Sequence, residues 1–186
     1  MELVKKSGAG LVDRFNVTFP RLRDGFDSRI PLSNIIKSYM KITICGSIAF
    51  FKQMQEIKKQ LENAGHIVEI PPVNIKDEQN KPIPIQEYYN IRKKEIKSES
   101  WVWERKQEAM RKHFNKVAWA EGVLVLNYTK NNIEGYVGAN TLIEMGLAFH
   151  LNKKIYLLNP VPELSYKEEI LGMHPTVTNG DISLIS

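Results

Sequence analysis

From residue 40 onwards, apolar positions fall into two spacings that alternate along the chain. Residues 41–46, Lys-Ile-Thr-Ile-Cys-Gly, form a short apolar run ending in a Gly-Ser turn and predict a first strand. Residues 48–64 place Phe51, Met54, Ile57 and Leu61 at helical spacing and stop at Gly65, which predicts a helix. Residues 66–70 predict a second strand, closed by Pro71 and Pro72, and residues 73–85 read as a polar, proline-marked loop. A helix is expected over 86–97. A longer one is expected from a Ser100 cap to about Ala118, with Met110, Phe114 and Val117 on one face. Residues 122–127, Gly-Val-Leu-Val-Leu-Asn, are so apolar that they predict a central strand. A loop over 129–138 follows, then a helix around Glu144 with Asn140 or Thr141 as its cap. A strand over 154–159 is stopped by Pro160 and Pro162, and a short helix over 166–173 precedes a weak final strand or tail over 176–185.

Strands that read as continuous apolar runs and alternate with helices imply an α/β fold. Its parallel sheet has about five strands, with helices on both faces. Ligands of such sheets bind at the carboxyl ends of the strands, near the point where strand order reverses. That rule gathers three segments at one crevice: Cys45, Gly46, Ser47 and Ile48 after the first strand, residues 127–138 after the third, and residues 159–162 after the fourth. Residues 1–38 differ. Gly8, Gly10, Pro20, Gly25 and Pro31 punctuate them and no period persists, so they read as an N-terminal extension ahead of one α/β domain over 39–186.

The helix around Glu144 is apolar on almost every face, through Leu142, Ile143, Met145, Leu147, Ala148, Phe149 and Leu151. A lone carboxylate in such a helix must be paired, protonated or used, because an unpaired buried charge is costly. Its place close behind a glycine-containing loop puts it near the positive end of the helix dipole, where an ionised carboxylate is favoured.

Charge and composition narrow the picture. The net charge of +5 would suit a nucleic acid, but lysines and glutamates interleave along the helices. That pattern describes solvated helix faces and disfavours a nucleic acid polymer as partner, whereas a small anionic substrate fits the modest basic excess. The one cysteine, Cys45, excludes an internal disulfide and suits a reducing cytoplasm. No apolar run approaches the roughly 20 residues needed to span a bilayer. The first residues lack an apolar signal core, so a cytoplasmic protein is expected. No Cys/His pair has metal-ligand spacing and no nucleophile elbow or phosphate loop occurs, so neither a metal nor a cofactor is expected.

Two pieces carry a family resemblance: Cys45-Gly-Ser-Ile at the first strand's end, and Gly138-Ala-Asn-Thr-Leu-Ile-Glu144-Met-Gly146-Leu-Ala148 followed by the strand from Lys154. Over about residues 41–160 the chain resembles the nucleoside 2-deoxyribosyltransferase superfamily, including its hydrolytic branch acting on 2'-deoxynucleoside 5'-phosphates. The resemblance implies a flavodoxin/Rossmann-like sheet and a homo-oligomer. It also implies cleavage or exchange of the N-glycosidic bond of a nucleoside or nucleoside 5'-monophosphate, with Glu144 as nucleophile. Gly146 and Ala148 would let the helix pack closely on the sheet. Gly46, Ser47 and their neighbours Cys45 and Ile48 would contact sugar or phosphate, with Asn127, Gly138, Asn140 and Asn159 completing the substrate contacts.

Three positions depart from the family pattern. Thr43 stands where a strand tyrosine is usual, His113 where an aspartate is usual, and Ala49 where the hydrolytic branch carries an arginine. His113 can protonate a leaving base, and Tyr136 can replace the missing tyrosine. Two other readings stay open: a catalytically silent nucleotide-binding module, and a phosphoribohydrolase of the cytokinin-activating type.

Overall fold

A computed structural model of the protein describes residues 39–98 and 100–186. The expected N-terminal extension therefore lies outside the described residues. The described chain runs β1 (Lys41–Gly46), α1 (Phe51–Asn63), β2 (Ile67–Glu69), β3 (Asn74–Lys76), β4 (Pro82–Pro84), α2 (Ile85–Lys94), α3 (Trp101–Trp119), β5 (Gly122–Leu126), α4 (Ala139–His150), β6 (Lys154–Leu157), α5 (Lys167–Gly172) and β7 (Thr176–Val177).

Five strands form one parallel sheet in the order β2-β1-β5-β6-β7. Counted within the sheet this is the 2-1-3-4-5 order of flavodoxin-like folds, whose switch point lies between the first and third strands, here β1 and β5. The period-two alternation of strand side chains divides the core. Ile42, Ile44, Leu124, Leu126 and Tyr156 face α1 and α2, meeting Phe51, Met54, Leu61 and Tyr88. Cys45, Val123, Val125, Ile155 and Leu157 face the other way, meeting Val117 of α3, Met145 and Ala148 of α4 and Ile170 of α5. All five residues of β5 are buried, as its unbroken apolar run requires of a central strand covered on both faces.

Four local expectations need correction. Residues 73–85 are not a plain loop. β3 and β4 pair antiparallel as a short hairpin, with Ile75 opposite Ile83 and both packed on the α1-side core. Three residues a side are too few for a period to be readable. Helix α2 ends at Lys94 rather than at 97, because the Glu95 carboxylate accepts the N–H groups of Ile96 and Lys97 and the Ser100 hydroxyl. Helix α4 starts from Gly138, so neither Asn140 nor Thr141 is its cap. Gly146 does not serve helix-to-sheet packing, since a Cβ there would meet nothing within 4 Å. Ala148 does press on the sheet, fully buried. The Ser100 cap of α3 is present, with Oγ accepting from the Val102 N–H at 3.4 Å.

Candidate active site

At the carboxyl ends of β1 and β5 lies a cavity of about 340 Å³, within the range of small-molecule sites. Its walls come from the turn after β1, helix α2, one stripe of α3, the loop after β5 and the first turns of α4. The α3 stripe is Lys106, Ala109, Met110 and His113, spaced three and four residues apart on one helix face.

Glu144 lies in the second turn of α4, on the face that also buries Thr141, Met145 and Ala148. The dipole advantage fades beyond a helix's first turn. Burial therefore dominates, pushing the carboxyl up to about 8 against the pull of Cys45, Lys106 and Asn140. Burial thus works against the ionised form that the helix dipole favours. The two oxygens differ. Oε1 accepts the Asn140 Nδ2–H at 2.5 Å, while Oε2 is buried without a hydrogen-bond partner.

Asn140 is itself oriented. Its Oδ1 accepts from Lys106 Nζ at 2.6 Å, which leaves Nδ2 as the only group that can face Glu144. Burial, then the charge of Arg92, lower Lys106 to about 8, with Glu144 opposing.

Behind Oε2 stand two groups from other elements. His113 Nε2 is 3.8 Å from Oε2, and Cys45 Sγ is 3.6 Å from the same nitrogen. Burial, then Lys116, depress His113 to about 4. Burial, then the charge of Glu144, raise the Cys45 thiol well above its usual range. Burial disfavours the charged form of both groups, Glu144 being pushed up and His113 down, so their contact is biased towards a neutral acid beside a neutral imidazole. His113 Nδ1 is buried and has no hydrogen-bond partner. Linear spacing had suggested no metal-ligand cluster, but the fold brings donor atoms of Cys45, His113 and Glu144 within 4.8 Å of one another.

The opposite wall is cationic. Lys130 opens a tight turn in which Asn131 and Asn132 both take left-handed backbone conformations (φ 54° and 61°), as a two-residue turn of this kind requires. The turn aims Lys130 Nζ at Ser47 Oγ, 2.7 Å away, and at the Tyr89 hydroxyl, 3.1 Å away, with the Tyr136 ring 5.2 Å beneath it. Arg92 and Lys93, at i+3 and i+4 from Tyr89, flank its ring at 5.2 and 5.1 Å. Burial pushes the Tyr89 phenol up, but hydrogen bonds from Lys130 and Lys93 outweigh it and hold the group below its ordinary value. Among the described lining residues Glu144 is the one acid, beside Arg92, Lys93, Lys106 and Lys130.

Of the residues singled out in the sequence, Gly46, Ser47, Ile48, His113, Tyr136, Gly138, Asn140 and Glu144 line this cavity. Cys45 sits just behind it. Asn127 and Asn159 do not line it: the Asn127 amide donates to the carbonyls of Asn159 and Pro160 and accepts the Asn159 N–H, while Asn159 Nδ2 returns a bond to the Asn127 carbonyl. Both side chains join the ends of β5 and β6. Thr43, at the tyrosine position of the resembled pattern, bonds the Lys116 carbonyl and ties α3 to β1. Lys106, Lys130, Tyr89, Arg92 and Lys93 were not singled out. The i, i+3, i+4 spacing of the last three was the legible signal.

Fold and site together define an open parallel α/β protein with a carboxyl-bearing crevice at its switch point. No family model matches the chain, and no curated protein matches it. A solved structure of a 2-deoxyribosyltransferase from the psychrotolerant bacterium Bacillus psychrosaccharolyticus, described as a biocatalyst for nucleoside synthesis, is similar. It shares 17% identity over 64% of this chain and 72% of that one, with a TM-score of 0.40. A likeness of that depth carries no argument for function. Among the described residues no helix is long and apolar enough to cross a membrane.

Proposed function

We propose that the protein breaks the N-glycosidic bond of a nucleoside 5'-monophosphate, with Glu144 as nucleophile. One observation carries this reading: a buried carboxyl at the switch-point cavity has one oxygen fixed by Asn140 and the other 3.8 Å from an imidazole. The opposed shifts of the two groups, Glu144 up and His113 down, favour one exchangeable proton on the pair near neutral pH, and the proposed chemistry uses that proton. Transfer of that proton from Glu144 to His113 Nε2 leaves a carboxylate beside an imidazolium. The carboxylate attacks the anomeric carbon as the bond to the base breaks, and the imidazolium proton goes to the departing nitrogen. His113, neutral again, then takes the proton of an incoming water or second base, whose attack displaces Glu144 from the sugar. Low-dielectric surroundings strengthen these interactions.

Lys130, Arg92 and Lys93 support the phosphorylated form of the substrate. They gather positive charge around Ser47 without a described acid to neutralise it. The test is base release from ribo- and deoxyribonucleosides and their 5'-monophosphates, with and without a second free base. The phosphorylated substrates are expected to turn over, and Glu144→Gln to lose about 10³-fold or more. Turnover unchanged in Glu144→Gln would refute the reading.

The position of Glu144 near 8 favours one competing reading, a binding module in which the neutral carboxyl donates a hydrogen bond to a nucleotide. Tight nucleotide binding without base release or exchange would decide for it.

A further inference from the structure

We propose that Cys45, His113 and Glu144 form a binding site for a thiophilic divalent cation, with Zn²⁺ as its type, at the floor of the cavity. Three separate elements supply the donors: sulfur from the end of β1, imidazole nitrogen from α3 and carboxylate oxygen from α4. Zinc takes each of these three donor types as a ligand.

The geometry suits the ion. The three donor atoms lie within 4.8 Å of one another, with Sγ to Nε2 at 3.6 Å and Nε2 to Oε2 at 3.8 Å. Bonds of about 2.0–2.3 Å in a tetrahedral site place donors roughly 3.3–3.7 Å apart.

The carboxylate is prepared for the role. Asn140 holds Oε1 while Oε2 is buried and faces the cluster, 3.8 Å from His113 Nε2. Metal-binding carboxylates are commonly steadied through such a neighbour. Binding releases one proton from the Cys45 thiol and one from the Glu144 carboxyl, with no change of oxidation state. The charges of the cation, thiolate and carboxylate then sum to zero, which suits a buried position. Three protein ligands leave a fourth position, and His113 and Glu144 open it towards the cavity.

Oε2 is also the oxygen left free for attack in the proposed reaction. Cation binding and glycosyl transfer therefore exclude each other, and Zn²⁺ inhibits by occupying the nucleophile.

The binding test does not depend on turnover. The full chain, stripped with a chelator, is titrated with Co²⁺ and followed by absorption. Cys45 is the only cysteine, so a thiolate-to-cobalt charge-transfer band reports that residue alone. The expected result is a near-ultraviolet band with the visible transitions of a tetrahedral ion, bleached by Zn²⁺. In Cys45→Ala the band is absent and zinc affinity falls by about tenfold or more, the least that losing a direct ligand should cost. No band in the wild type, or a smaller loss of zinc affinity in Cys45→Ala, overturns the site. Should Cys45→Ala fail to fold, the wild-type spectrum and Cys45→Ser decide in the same way.

Discussion

Asn140 stands one helical turn ahead of Glu144 and donates Nδ2–H to its Oε1 at 2.5 Å, while Lys106 Nζ holds the other end of the same amide at 2.6 Å. A lysine on α3 is thereby coupled to a carboxyl on α4 through a side chain whose orientation has no alternative. The coupling lowers the cost of ionising Glu144 inside an apolar helix.

Removing the amide should make that ionisation harder. In Asn140→Leu, Glu144 is expected to titrate higher than about 8. The proton transfer to His113 becomes less favourable, and base release at neutral pH should fall by about tenfold for every pH unit that the carboxyl rises. A pH–rate profile checks this: the alkaline limb moves up. A lower rate with an unmoved limb would assign Asn140 a purely structural part.

The wild-type profile should itself be bell-shaped. Below about 4, His113 gains a second proton for the pair and Glu144 is not freed. Above about 8, the pair has lost its one proton and no acid remains for the leaving base. Rates of base release from about pH 3 to 10 give the two limbs. A rate still rising beyond about pH 9 would contradict the shared proton.

Stability should carry the same signature. Glu144 in the folded state titrates above its unfolded value, so the native state holds the proton more tightly, and stability falls as pH rises from about 4.5 to 8. His113 works in the opposite sense between about 4 and 6.5, where its depressed value makes stability rise with pH. Glu144→Gln abolishes the first contribution only. Its midpoint of thermal unfolding should exceed the wild type's. The advantage should grow by up to about 1.4 kcal/mol per pH unit towards pH 8. Parallel melting curves for the two proteins would contradict the burial effect.

Lys130 offers a specificity test. Lys130→Met removes the cation held by Ser47 and Tyr89. If that wall receives a phosphate, KM for the 5'-monophosphate should rise about tenfold or more, as loss of a charged hydrogen bond implies. KM for the unphosphorylated nucleoside should hardly move. Equal losses on both substrates would remove the phosphate from this wall.

Asn127 should behave as a structural residue. Its amide makes three hydrogen bonds to the backbone of Asn159 and Pro160 from a fully buried position. Asn127→Ala leaves those backbone groups unpaired and is expected to cost about 2–3 kcal/mol in denaturant unfolding. A variant as stable as the wild type but unable to bind substrate would return Asn127 to the site.

Much of this architecture was legible in one dimension. The unbroken apolar run of β5 could satisfy its neighbours only at the centre of a covered sheet. The Phe51, Met54, Ile57 and Leu61 spacing could bury only one helix face, and Ser100 offered a cap for α3. A lone acid in an apolar helix marked Glu144 because burial makes such a residue costly whatever surrounds it. These features depend on neighbours close along the chain, and a local pattern records them.

The surroundings of Glu144 depend on the packing of α3 and α4 against β1. Only the tertiary structure decided that Asn140 faces back to Glu144 instead of capping the helix, and that Lys106 reaches Asn140 across 34 residues of sequence. It likewise placed Cys45 and His113, 68 residues apart, at 3.6 Å from each other. It took Asn127 and Asn159 out of the crevice and put Lys130 into it. The protonation of Glu144 followed the same division. The dipole expected from sequence is weak by the second helical turn, while desolvation depends on every atom packed around the carboxyl, and no local pattern records that.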